Sequence, residues 1–242
     1  MRRCTWIFAL GALFVAAPAL WAQEWRDEEV GPARGFVGGS LNYGNPVGPF
    51  GELVDNGFGA SLHGIYRLDE SGWLGLRGDL GFLVYGNERQ TVCFSSTVGC
   101  RVGLDLTTSN NIAYLGVGPQ IGLPTGRVRP YVTGSIGLSY FSTSSSLRGR
   151  GDNRDFASDT NFDDLTFAWT GGGGLYIPLR GGARPISIDL SARYHGNGEA
   201  KYLRKGDIID HPDGSISFTP NHSETNLWTF QLGVSMGAGG RR

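Results

Sequence analysis

The stretch Ile186-Ser-Ile-Asp-Leu-Ser-Ala-Arg-Tyr-His195 decides the fold. Laid out as an extended chain, Ile186, Ile188, Leu190, Ala192 and Tyr194 fall on one side. Ser187, Asp189, Ser191, Arg193 and His195 fall on the other, because successive side chains of a strand point to opposite faces. A period of two identifies a strand. Charges alternating with apolar residues identify a wall with one face in an apolar medium and the other in a polar interior.

The same alternation recurs along the chain. Downstream, residues 227–237 place Trp228, Phe230, Leu232, Val234 and Met236 on the apolar face. Upstream, residues 165–179 carry Leu165, Phe167, Trp169, Leu175 and Ile177, and residues 129–141 carry Val132, Ile136, Leu138 and Tyr140. Residues 73–85 set Leu74, Leu76, Leu80, Phe82 and Val84 against Arg77, Asp79 and Tyr85. Phe58, Ala60, Leu62, Gly64 and Tyr66 oppose Ser61, His63 and Arg67, and residues 35–43 carry Val37, Gly39, Leu41 and Tyr43. In the fourth strand Leu104 and Leu106 share a parity that Leu115 and Val117 do not, which predicts a bulge near Thr108 to Asn111.

Eight strands are therefore expected, with connections that alternate in length. Short turns fall at residues 69–72, 124–126 and 180–185. Long connections fall at 44–57, with a helical turn near residues 52–54, and at 86–101, 142–164 and 196–226, the last with a hairpin tip at Asp210-His-Pro-Asp-Gly214.

Composition agrees with an all-β chain: 40 glycines, 12% aromatics and no run near the ~18 apolar residues of a membrane helix. The first 22 residues, Met-Arg-Arg followed by an apolar run to Val15 and a Pro18-Ala-Leu-Trp-Ala22 junction, read as a secretory signal peptide. Residues 23–33 read as a periplasmic lead, 34–238 as the barrel and 239–242 as a tail. Removing Arg2 and Arg3 leaves 19 basic against 22 acidic residues, which implies no polyanion partner and no nucleic acid. Cys93 and Cys100 lie in Cys-Phe-Ser-Ser-Thr-Val-Gly-Cys, the spacing of a small disulfide loop in an exported protein. A metal pair is the competing reading, but no His or further Cys is nearby.

Alternation alone fits both a membrane barrel and a soluble ligand-holding barrel. Two features select the membrane: the long-short connection pattern, and aromatics at the loop-proximal ends of the apolar face, namely Tyr43, Phe58, Tyr140, Phe167, Tyr194 and Trp228. The expected fold is an eight-stranded antiparallel up-and-down transmembrane β-barrel with long extracellular loops. A barrel of that size is filled by side chains. His63, Arg67, Arg77, Asp79, Asp189, Arg193 and Gln231 would form a polar network in its lumen, with opposite charges paired.

The eight strands, the Arg129-Pro-Tyr-Val132 strand opening and the closing Phe230-Gln-Leu-Gly-Val234 pattern resemble small outer-membrane β-barrels of the OmpA and OmpX type, over about residues 34 to 238. The resemblance implies residence in the bacterial outer membrane. Family members often end on an aromatic residue read by the assembly machinery, whereas this chain ends Met236-Gly-Ala-Gly-Gly-Arg-Arg242. Outer-membrane lipid A deacylases are similar barrels, with a His, a Ser two residues later and a nearby acid. Here His195 is followed by Gly196 and Asn197, so the serine nucleophile is missing, and His195 has the lumen parity of Arg193.

Two other clusters carry weaker signals. Asp152, Asp155, Asp159, Asp163 and Asp164 could hold a divalent cation, but Arg148, Arg150 and Arg154 lie among them, which fits a solvated loop facing lipopolysaccharide phosphates better. Gly171-Gly-Gly-Gly174 lacks the Gly-Lys-Ser/Thr of a phosphate cradle and reads as a device for curvature or close packing.

The expected function is envelope structure or surface interaction through the extracellular loops, with no catalytic residue, cofactor or metal. The alternatives are a lipid-modifying enzyme and a carrier of small hydrophobic ligands. Expected partners are outer-membrane lipid and lipopolysaccharide, together with an extracellular or host-surface ligand, and the barrel is expected as a monomer.

Overall fold

An alternating strand has two incompatible faces, and closing the sheet on itself satisfies both. The computed structural model describes residues 31–93, 103–149, 155–182, 184–202, 208–210, 216–218 and 221–240. In it β1 (Gly31–Pro46), β2 (Gly57–Arg67), β3 (Leu74–Cys93), β4 (Gly103–Gly122), β5 (Arg129–Gly149), β6 (Asp155–Arg180) and β7 (Ile186–Asn197) follow one another around a barrel. The last strand, β12 (Leu227–Gly240), closes it by pairing with β7 on one edge and β1 on the other. All neighbouring pairs are antiparallel. β1 takes in residues 31–33 of the expected lead, and β12 takes in 239–240 of the expected tail.

The distribution of side chains is inside out. Leu41 is 70% exposed, Phe58 67% and Ile136 62%, whereas Arg77 is 1% exposed and Arg193 2%. In water such a surface would be an extensive apolar patch; in a bilayer it is the required exterior. On β12 the outward residues run from Trp228 to Met236, about 27 Å along the strand and, at a tilt of roughly 40°, about 20 Å along the barrel axis, close to the height of an outer-membrane apolar band.

The three short connections are as expected, but the long ones need correction. Residues 142–164 are mostly strand: β5 continues to Gly149, β6 begins at Asp155, and Ser142 pairs with Asp163. Likewise β3 runs to Cys93 and β4 starts at Gly103, so residues 86–93 of the expected loop lengthen the β3–β4 hairpin. Beyond the apolar band both faces of the sheet meet water, so a strand there has no apolar alternation and reads as loop. The expected bulge in β4 is also displaced. The β4–β5 register is constant from Leu104 to Ile121, and the irregularity lies on β3 between Val84 and Gly86, opposite Asn110 and Asn111.

The excursion at 196–226 contains two small hairpins. β8 (Glu199–Tyr202) pairs with β11 (Asn221–Glu224), and β9 (Ile208–Asp210) pairs with β10 (Ile216–Phe218) around the expected tip. The helical turn is α1 (Pro49–Leu53), which begins three residues before the expected 52–54 and ends one residue before it. Its entry residue Gly48 has φ +62°, a conformation open to glycine at little cost, and Pro49 fits the first turn because its missing N–H would be unpaired there.

Candidate functional site

Inward residues of β3 and β7 supply the charges at mid-barrel, because Arg77, Asp79, Asp189 and Arg193 all have lumen parity and are buried. Arg77 Nε donates to both carboxylate oxygens of Asp79 at 2.9 and 3.2 Å, and Arg193 Nη1 lies 2.9 Å from Asp79 Oδ1. Asp79 thus joins two guanidiniums across the lumen. Asp189 is more loosely held. It accepts from the Tyr131 hydroxyl at 2.8 Å and stands 4.0 Å from both Arg77 Nη1 and His63 Nε2. Two guanidiniums face two carboxylates, so the layer balances in charge, as burial demands.

Neutral groups complete this layer. Arg77 Nη1 also donates to Gln120 Oε1 and to the Tyr176 hydroxyl, each at 3.0 Å. Tyr176 stacks on Tyr131 at 4.6 Å between ring centroids. Gln120, Tyr131 and Tyr176 were not among the expected network residues, although each occupies an inward position on its strand. Alternation places them on the inner wall but does not say which inward residues meet across it.

Two expected network members lie outside the charge cluster. Gln231 Oε1 accepts from Ser191 Oγ at 3.1 Å, an uncharged contact. Arg67 is at the turn-side end of β2, with its guanidinium 4.6 Å over the Phe36 ring. His63 Nδ1 and Nε2, Asp189 Oδ2, and Arg193 Nε and Nη2 meet no hydrogen-bond partner among the described residues. Of the two carboxylates, Asp189 is the more loosely held, with Oδ2 lacking a hydrogen-bond partner among the described residues.

Toward the loops the lumen turns less charged, then apolar. Asn42 Nδ2 donates to the Tyr114 hydroxyl at 2.9 Å, and Ser61 Oγ donates to Asn42 Oδ1 at 3.2 Å. A Cβ on Gly81 would lie 2.1 Å from the Tyr114 ring, so that ring fits only beside glycine. His195 is enclosed: Nδ1 is 3.3 Å from Thr170 Oγ1, Nε2 is 3.0 Å from Thr229 Oγ1, and Tyr114 packs edge-on at 4.9 Å. Asn197 accepts from Ser139 Oγ at 2.8 Å and donates to the Thr225 carbonyl at 2.7 Å.

Above these groups lies an apolar plug that the sequence reading missed. Phe50 of α1 is wholly buried, edge-on to Tyr85, Phe141 and Tyr202, in a cluster with Leu83, Ile112, Ala200 and Leu227. An aromatic between Pro49 and Gly51 in a loop has no periodicity to mark it as core.

On the outer face Tyr43 packs on Phe58 at 5.3 Å, and Tyr194 packs on Trp228 at 5.4 Å and on Trp169 at 5.5 Å. Trp169 is the member absent from the expected girdle. Tyr140 and Phe167 face outward on β5 and β6, opposite Leu165 and Leu138. Of the acidic cluster, Asp164 accepts from the backbone amides of Leu165 and Lys201 at 2.9 and 2.7 Å. Residues 152–154 lie outside the described residues, as does the expected disulfide, since Cys100 is not among them and only the strand position of Cys93 is described.

An apolar exterior around a closed, ion-paired interior defines a transmembrane β-barrel. The chain matches the outer membrane protein beta-barrel domain over residues 7–237 and belongs to that family: it is an outer-membrane β-barrel protein of the bacterial cell envelope. Similar solved structures include Neisserial surface protein A, at 13% identity, 86% of this chain, 99% of that chain and a TM-score of 0.44. Ail, the attachment invasion locus protein of Yersinia pestis, is similar at 14% identity, 85% of this chain, 99% of that chain and 0.43. OprG of Pseudomonas aeruginosa is similar at 12% identity, 88% of this chain, 100% of that chain and 0.43. A search of curated proteins gave no match.

Proposed function

We propose that this barrel acts through its outer rim, in envelope structure or surface interaction, and that its lumen is a closed brace rather than a conduit. The observation that carries this reading is the two-layer filling: the Asp79-centred ion pairs across the middle and the Phe50 plug at the loop end. A conducting path would have to separate buried ion pairs and expel a packed aromatic, each costing several kcal/mol. Outside the plug, the β3–β4 and β5–β6 hairpins extend polar strands beyond the apolar band, where a surface ligand or lipopolysaccharide would meet them.

The alternatives fit less well. A lipid-cleaving His must face lipid beside a nucleophile, whereas His195 is 3% exposed inside the lumen and Asn197 stands where the serine is needed. A carrier needs an enclosed cavity of roughly 300 Å³ or more; beside His195 and Arg193 there is about 10 Å³, and the larger space of about 610 Å³ is an open groove among the outward residues Leu41, Phe58, Leu190, Phe230 and Leu232. The test joins planar-bilayer conductance with gene deletion. Absence of large stable pores, together with altered permeability or surface binding in the deletion strain, is expected. Large stable pores from the folded protein would refute the closed lumen.

A further inference from the structure

The filling stops short of the turn-side end. There a cavity of about 50 Å³ is lined by Arg67, Arg129, Gln120, Tyr131, Tyr176 and Trp73, among others, and none of its lining residues is acidic. By volume it has room for a few waters or for one tetrahedral oxyanion.

Two guanidiniums therefore face one small, half-enclosed space. Arg77 and Arg193 share Asp79, but Arg67 and Arg129 end on no carboxylate among the described residues. Arg67 is held over Phe36, and Arg129 Nε donates to the Gly126 carbonyl at 3.3 Å, which leaves its terminal N–H groups for the cavity. Asp69 is the acid near Arg67, yet its carboxylate accepts from Ser71 Oγ and from the amides of Trp73 and Leu74. Ser187 and Ser235 add hydroxyls to the lining. Like charges brought together without a counter-charge are costly, and a paired guanidinium fork matches the oxygens of a phosphate.

We propose that Arg67 and Arg129 bind a phosphate group in this turn-side mouth. Short turns of such barrels face the periplasm, so the group would come from a free phosphate ion or from a phospholipid headgroup of the inner-facing leaflet. The bound anion would complete in the mouth the charge balance that Asp79 and Asp189 supply at mid-barrel.

The chain, refolded in maltoside micelles that contain no phosphate, is titrated with inorganic phosphate at constant ionic strength and followed by phosphorus NMR. A saturable response, weakened about tenfold or more in R129Q and R67Q, is expected and would assign the free ion as the source. A response confined to short-chain phosphatidylglycerol, weakened in the same variants, would assign the headgroup. No saturable response to either, or one that both variants leave unchanged, overturns the proposal. Circular dichroism checks folding. R129Q, a substitution at the half-exposed rim, decides the matter if R67Q folds poorly.

Discussion

Asp79 joins Arg77 and Arg193, whereas Asp189 reaches its cationic neighbours only at 4.0 Å and keeps a short bond to Tyr131. The two carboxylates are thus unequal in consequence. Asp79→Asn removes the shared counter-charge of two buried guanidiniums, and breaking such a pair costs about 3–5 kcal/mol. Asp189→Asn retains an oxygen for the Tyr131 hydroxyl and should cost markedly less. Urea unfolding in lipid vesicles measures both, and equal losses would disprove the central role of Asp79. A second residue-scale prediction concerns packing. Gly81→Ala drives a methyl into the Tyr114 ring and should destabilise by about 1–3 kcal/mol, because a filled lumen cannot relax around it.

Among the elements, the turn between β2 and β3 depends on one side chain. The Ser71 hydroxyl, then the Leu74 and Trp73 amides, hold the Asp69 carboxyl down at about 2, below the ordinary 3.8. Folded chains therefore bind fewer protons there than unfolded ones as pH falls through this interval. The contribution is full above the ordinary value and is lost as pH drops through about 2. Wild type and Asp69→Asn should accordingly differ in unfolding midpoint near pH 5 and converge toward pH 2. A gap that stays constant would mean that Asp69 acts through geometry alone. The membrane portions of the strands were legible from alternation. The rim portions were not: β6 carries an irregularity where Thr143 pairs with Phe162 but Ser144 pairs with Thr160, which resets the parity at Asn161. No apolar face survives beyond the band to restore it.

For the whole molecule, the orientation follows from the unequal connections. Trypsin added to intact cells should cut at Arg150 or Arg154, in the connection from β5 to β6, while Arg67 and Arg129 stay protected until lysis. Cleavage of intact cells only on the short-turn side would invert the barrel.

Alternation alone marks the eight barrel strands and sets Arg77, Asp79, Asp189 and Arg193 on the face opposite the apolar residues, whereas the four short strands β8 to β11 carry no such signal. A period of two against two solvents leaves no freedom in those assignments. The tertiary structure decided which inward residues meet. Closure brings Asp79 of β3 against Arg193 of β7, sets Arg67 apart beside Arg129, and carries Phe50 over the mouth. Contacts across a lumen depend on register around the closed ring, and no periodicity along one strand encodes them.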